Sequence, residues 1–239
     1  MTLKYKRILL KFSGEALMGD GDFGLEAKTL HRVVGQVKEL HDLGVEIGIV
    51  VGGGNIFRGA QIQGSGIART TGDHMGMMAT VINALALRDV IESFGMKSQI
   101  LSAMSIEGIS SGFNANTVKK QLADGEVLVF AAGTGSPFFT TDTAAALRGI
   151  EIDADIVLKA TKVDGIYTAD PVKDLTATRY KSLTYNEVIQ KNLQVMDMTA
   201  FVLCRDHNMP IRVFDMFKDN AVIRIVKGGD EGTLVSSGE

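Results

Sequence analysis

Apolar positions along this chain switch repeatedly between short runs and helical spacing. Tyr5–Phe12 contains the run Ile8-Leu9-Leu10 between basic residues and reads as a strand. From Leu25 to Leu43, Leu30, Val33, Val34, Val37 and Leu40 recur at three- and four-residue intervals, which predicts an amphipathic helix. Gly44 is placed to close it as a C′ glycine. Val45–Val51 is almost continuously apolar, as a strand buried on both faces of a parallel sheet would be. Ile56–Thr71 is glycine-rich without a period and reads as a loop. A long helix is then expected from Asp73, a candidate N-cap, to about Phe94, with Met75, Met78, Val81, Ile82, Leu85 and Val90 on its core face. Further strands are expected at Lys97–Ser102, Val127–Ala132, Asp155–Lys159, Ile211–Phe214 and Thr233–Val235. Helices are expected at Asn114–Ala123, in the alanine-rich stretch up to Leu147, at Thr184–Lys191 and at Asp197–His207.

Strands alternating with helices argue for an α/β fold: a mostly parallel twisted sheet sandwiched by helices in three layers, αβα. No repeat, low-complexity segment or clear linker interrupts the pattern, so residues 1–239 are expected to form a single domain with two functional halves.

Composition narrows the chemistry. The formal net charge of −3 gives no strongly basic field, so nucleic-acid binding is not expected as the main function. Cys204 is the only cysteine, which excludes an intrachain disulfide and a cysteine-based zinc site. His31, His41, His74 and His207 show no metal-ligand spacing, so no protein-held metal is expected. The apolar run in MTLKYKRILLKF is too short for a signal peptide or a membrane span. These features point to a reducing, cytoplasmic setting away from membranes.

The strand ends carry the candidate chemistry. Strand Val127–Ala132 breaks into Gly133, Thr134, Gly135, Ser136 and Pro137, then Phe138, Phe139, Thr140, Thr141 and Asp142, before a helix begins. A strand, a Gly/Thr loop and a helix start can bind an anion on converging backbone N–H groups. The first strand ends in Lys11-Phe12-Ser13-Gly14, and the second in Gly52-Gly53-Gly54, with Arg58 close behind. Three glycines after a buried strand read as close approach of a ligand to bare backbone. The strand ending at Lys159 leads into Thr161, Lys162, Tyr167 and Asp170, types that suit phosphate, ribose and adenine. In a parallel sheet these four ends share one edge, so one crevice is expected to hold Lys11, Arg58, Lys159 and Lys162 against Asp73, Asp142 and Asp170. Cations over glycine loops suit phosphoryl transfer. Gly19-Asp20-Gly21-Asp22-Phe23-Gly24 matches a dinucleotide fingerprint in spacing, but it does not directly follow a strand and carries two Asp where a pyrophosphate would sit. Gly108–Gly112 matches a nucleophile elbow without the buried strand that motif needs. There is no Gly-Lys dipeptide for a Walker A loop, nor the paired HRD and DFG set of protein kinases.

Leu9–Leu17 (LLKFSGEAL), Val50–Gly59 (VVGGGNIFRG), Gly72–Asp89 (GDHMGMMATVINALALRD), Ala131–Arg148 (AAGTGSPFFTTDTAAALR), Leu158–Pro171 (LKATKVDGIYTADP) and Glu231–Leu234 (EGTL) together resemble the bacterial uridylate kinases of the amino-acid kinase superfamily. The resemblance implies an enzyme that phosphorylates uridine monophosphate (UMP) with ATP and Mg2+ in pyrimidine biosynthesis. It implies an allosteric homohexamer, activated by GTP and inhibited by UTP. It assigns Lys11, Phe12, Ser13, Gly14, Gly54, Arg58, Thr161, Tyr167 and Asp170 to ATP, and Gly53, Asp73 and the loop Thr134, Gly135, Ser136, Pro137, Phe138, Phe139, Thr140 and Thr141 to UMP. Lys11, Lys159 and Asp142 would be catalytic. Residues 1–150 would form mainly the acceptor half and 151–239 mainly the ATP half. The family usually has Asn where this chain has Ser136, and Glu92, Gln99 and Glu126 stand where some members carry cations, so a weaker GTP response is expected.

Overall fold

The computed structural model describes residues 3–59, 64–193 and 195–238. The part of the expected Ile56–Thr71 loop at residues 60–63 lies outside the described residues. The elements are β1 (Arg7–Phe12), α1 (Ala27–Asp42), β2 (Glu46–Val51), α2 (Arg69–Ser93), β3 (Ser98–Ser102), β4 (Ser111–Gly112), α3 (Ala115–Ala123), β5 (Val127–Ala131), α4 (Thr141–Glu151), β6 (Ile156–Thr161), β7 (Ser182–Thr184), α5 (Tyr185–Gln190), α6 (Met198–Asp206), β8 (Ile211–Asp215), α7 (Ala221–Val226) and β9 (Thr233–Ser236). A short 3₁₀ turn covers Gly14–Leu17.

The strands form one sheet in the order β4-β3-β5-β2-β1-β6-β8-β9-β7. It is parallel throughout except where β9 runs antiparallel to β8. The period of two along each strand divides the core. Ile8, Leu10 and Phe12 of β1 pack with α1, α2 and α7, whereas Leu9 packs on the other face with α3, α4, α5 and α6. The chain steps outward from β1 through β2, then crosses after α4 to β6 on the other side of β1. The carboxyl ends of β5, β2, β1 and β6 therefore lie side by side at a reversal of strand order, where open α/β sheets place ligands.

Two expectations about α2 are corrected. It begins at Arg69 with Ala68 as N-cap, so Asp73 lies inside its second turn and caps nothing. Its buried face is Met77, Val81, Ala84, Leu87 and Ile91, while Met75, Met78 and Ile82 are exposed. Apolar residues surround this helix on all sides, so spacing alone could not choose the face; packing against α1, β3 and β5 chose it. The elements β4, β7 and α7 were not predicted, and the two strands are too short for a period to show.

Candidate active site

Strand register builds the central cluster. Lys11 and Lys159 are direct partners across the β1–β6 ladder. Both share the face of Leu9 and Val157, toward α4. Like charges opposite each other on one face repel, and Asp142, in the first turn of α4, answers both. Its Oδ1 lies 2.6 Å from Lys11 Nζ and its Oδ2 lies 2.6 Å from Lys159 Nζ, with all three side chains nearly buried. Lys159 also donates to the Val195 carbonyl.

The alanine-rich start of α4 makes this approach possible. Ala144, Ala145 and Ala146 are buried against the sheet, and a Cβ on Gly149 would come within 2.8 Å of Val157. Thr140 caps the helix by accepting the Asp142 N–H at 3.0 Å. Burial pushes the Asp142 carboxyl up, but the charges of Lys11 and Lys159 outweigh it and hold the group below the usual carboxylate range. Burial pulls the Lys159 ammonium below the usual lysine value, against the attraction of Asp142 and with the repulsion of Lys11.

Beside this cluster, a cavity of about 300 Å³ is lined by Gly53, Gly54, Asp73, Thr134, Phe139 and Thr141, among others, with the N-terminus of α4 at its wall. Asp73 accepts the Phe138 N–H at 2.8 Å and pairs with Arg69 at 2.8 Å. Burial raises its carboxyl, and these two partners lower it further, to a net value below the usual range. Ser136, Pro137 and Phe138 form the outer part of the same loop. Ser136 N–H and carbonyl turn back onto the Thr134 hydroxyl, and Phe138 is exposed. Gly135 has a φ of 77° and packs on Ala103.

The glycine run has a cause the sequence did not reveal. A Cβ on Gly52 would lie 2.9 Å from Gly14 N, and one on Gly53 would lie 2.8 Å from both Ala79 Cβ and the Gly76 carbonyl. The backbone approaching these two glycines belongs to the protein itself. Only Gly54 faces open space, with Glu15 at 3.7 Å. Gly14 is likewise bare because a Cβ there would collide with Asn55 Oδ1.

A second cavity of about 580 Å³ lies past the end of β6, lined by Thr161, Gly165, Tyr167, Asp170, Leu193 and Val195, among others. Tyr167 donates its hydroxyl to Asp164. Asn192, Leu193 and Val195 also line a smaller space that reaches Asp142, next in sequence to Thr141 of the first cavity.

The remaining expected residues divide. Ser13 caps the 3₁₀ turn by accepting the Ala16 N–H. Arg58 pairs with Glu15 at 2.9 Å and donates to the Gly54 carbonyl, at the rim of the first cavity. Phe12 points away: alternation along β1 puts its side chain in the core on the face opposite Lys11, and its carbonyl already accepts from Gly52 N–H. Lys162 is exposed.

Sequence reading missed Asp197. It accepts from the Thr140 and Thr143 hydroxyls at 2.5 and 2.9 Å and caps α6 through the Ala200 N–H, tying α4 to the segment that holds Lys159. The Asp at a helix start was visible, but nothing in the sequence pointed to its long-range partners.

The amino acid kinase family matches residues 6–215. A protein named uridylate kinase from Hydrogenovibrio crunogenus is 80% identical over 235 residues, covering 98% of this chain and 100% of its own. A uridylate kinase from Ectopseudomonas mendocina is 57% identical, covering 97% and 94%. Among solved structures, UMP kinase from Bacillus anthracis superposes with a TM-score of 0.96 at 36% identity, covering 98% and 97% of the two chains.

Proposed function

This chain belongs to the amino acid kinase family, among its uridylate kinases, and from that premise we propose how its residues transfer the γ-phosphoryl group of ATP to UMP, giving UDP and ADP. The observation that carries the reading is the buried Lys11–Asp142–Lys159 cluster at the start of α4, whose Thr141 lines the first cavity and whose Asp142 lines a space that shares Asn192, Leu193 and Val195 with the second. The first cavity holds UMP. The N-terminus of α4 and the Thr140 and Thr141 region receive its phosphate, because free N–H groups and the helix dipole favour an anion there. Asp73 accepts from ribose hydroxyls. The second cavity holds the adenosine part of ATP beside Thr161, Tyr167 and Asp170. Ser13, Gly14 and Gly54, with Arg58, border the path of the phosphates.

In the transfer, a UMP phosphate oxygen attacks Pγ, a new P–O bond forms, and the bond from Pγ to the β-bridging oxygen breaks, leaving ADP. Negative charge spreads over the equatorial oxygens of the moving group. Lys11 and Lys159 meet that charge from fixed positions, and Asp142 holds both ammonium groups in place. The Lys11 ammonium has three donors, so beside its contact with Asp142 it keeps N–H groups for phosphate oxygens. Mg2+ enters with ATP. Both Asp142 oxygens face lysines, and among the described residues no group of three or more His, Cys, Asp or Glu is placed to hold a metal. Mg2+ bound with ATP would take phosphate oxygens as ligands and neutralise charge on the moving group, as is common for this cation.

Residues 1–150 serve mainly the acceptor and 151–239 mainly ATP. The setting is cytoplasmic, in keeping with a lone buried cysteine; no helix of the described residues is long and apolar enough to cross a membrane. The assembly is a homohexamer inhibited by UTP. Its response to GTP is weak, because in a further cavity lined by Arg88, Glu92 and Gln99 the arginine is paired with Asp89, leaving little positive field there.

Release of ADP with ATP, Mg2+ and a panel of UMP, CMP, aspartate and acetylglutamate, with and without GTP, tests the reading. Turnover is expected on UMP; turnover on an amino acid alone would sink it. Asp73→Asn is expected to raise the UMP KM about tenfold, since one hydrogen bond to a charged partner is weakened, with the ATP KM within about twofold. Equal effects on both substrates would remove Asp73 from the ribose site.

A further inference from the structure

One polar stripe of α2 reaches both ends of the acceptor loop. Asp73, Gly76, Thr80 and Asn83 recur at three- and four-residue intervals and so share a helix face. Asp73 Oδ2 accepts the N–H of Phe138 at 2.8 Å. Thr80 Oγ1 accepts the N–H of Ala132 at 2.8 Å and donates to the Met77 carbonyl at 2.7 Å. Asn83 exchanges two amide hydrogen bonds with Asn55, at 2.9 and 2.7 Å, and donates to the Gly52 carbonyl at 2.7 Å.

The two loop residues held in this way share a second property. Ala132 has a φ of 60° and Phe138 a φ of 72°. This left-handed region crowds a Cβ against the backbone. The other non-glycine residues with positive φ among the described residues are Asp153, Asn192, Asn208 and Asn220, types that visit the region readily. Ala and Phe have no such tolerance. At both positions the backbone N–H is taken by an α2 side chain. The Ala132 clamp is closed to water: Thr80 is 3% exposed and Ala132 is 0% exposed. A buried N–H deprived of its acceptor there finds no replacement.

We infer that Thr80 is a positioning residue of the acceptor site: through Ala132 it holds the loop at 133–141 in a backbone geometry that the loop would not keep unaided. The inference rests on reading the first cavity as the nucleoside monophosphate site. The Phe138 clamp borders that cavity and is open to a ligand hydroxyl competing for Asp73. Thr80 also lines that cavity, but its hydroxyl is committed to the Ala132 N–H and the Met77 carbonyl.

Thr80→Val keeps the side-chain shape and removes the acceptor. It is expected to raise the UMP KM about tenfold, the scale of one lost buried hydrogen bond, and to leave the ATP KM within about twofold. Thr80→Ser is expected to restore the wild-type value. Adding Ala132→Gly to Thr80→Val is expected to recover the part of the loss that comes from backbone strain, because glycine adopts positive φ without a clamp, while the unpaired N–H remains. Equal rises in both KM values, no recovery by Ala132→Gly, or a change in Tm alone would each overturn the inference. Hydrogen exchange on the wild-type chain gives an independent readout. The Ala132 amide is expected to be as protected as the β5 amides, and exchange as fast as that of the exposed Ser136 amide would overturn the clamp. Failure of the unmodified enzyme to phosphorylate UMP would instead refute the reading of the cavity and leave the exchange result standing.

Discussion

Lys11→Ala is expected to lower turnover about 10³-fold, while changing the melting temperature by only a few degrees. The first effect follows from its place: a nearly buried ammonium at the end of β1, beside Asp142 on the face where the transfer is proposed to occur. Groups that meet charge developing in a transition state contribute on this scale in enzymes of other folds. The small second effect follows from its neighbours. Removing Lys11 takes away one ion pair with Asp142, but it also removes the repulsion between two ammonium groups in direct register. Lys159 still pairs with Asp142 in the variant. Steady-state kinetics with a thermal melt checks both halves. Activity within a few-fold of wild type would take Lys11 out of the chemistry, and a collapse in Tm would make its role structural.

Asp142→Asn is expected to damage both properties. It keeps the side-chain shape and deletes the one charge between two buried lysines. Removing one partner from a buried ionic network costs about 3–5 kcal/mol, which in a chain of this size lowers Tm by about 10 °C at neutral pH. Turnover is expected to fall about 10³-fold, since both ammonium groups lose the anchor that aims them. The sign of the pH dependence follows from the carboxyl being held below its ordinary value. Its stabilising contribution is complete above the unfolded carboxylate pKa of about 3.9 and is lost as pH falls from there through the folded value. The Tm gap between wild type and variant is therefore expected to narrow in acid. On the alkaline side the folded Lys159 releases its proton before an unfolded lysine does. Stability is thus expected to rise with pH below about 10.4, and more steeply in the variant, where no carboxylate holds that proton. A variant melting within about 2 °C of wild type at neutral pH would refute the account of the cluster, given the buried-pair cost above.

Much of the site was readable because it sits on strands. β1, β2, β5 and β6 carry strong apolar runs, and their ends carry lysine, glycine or hydroxyl residues within a few positions. Short-range pattern sufficed there, and the structure brings those ends together on one edge. The same pattern failed at α2, where apolar residues on every side left the buried face and the role of Asp73 undetermined. It also misattributed Gly52 and Gly53, since a glycine required by a neighbouring loop looks the same as one required by a ligand.

From the residues alone came the alternation of strands and helices, the parallel sheet, and a crevice holding Lys11, Arg58, Lys159 and Lys162 against Asp73, Asp142 and Asp170; the family resemblance singled out Lys11, Asp142 and Lys159 among them. These depend on the order of side chains along the backbone, which the sequence contains. Only the tertiary structure decided that Lys11 and Lys159 face each other across a ladder with Asp142 between them, and that Phe12 turns to the opposite side. It alone joined Asp197 to α4 and Thr80 to Ala132. Those facts depend on register and on contacts between segments 17 to 148 residues apart. Packing of the whole chain sets such distances, and no local spacing rule reaches that far.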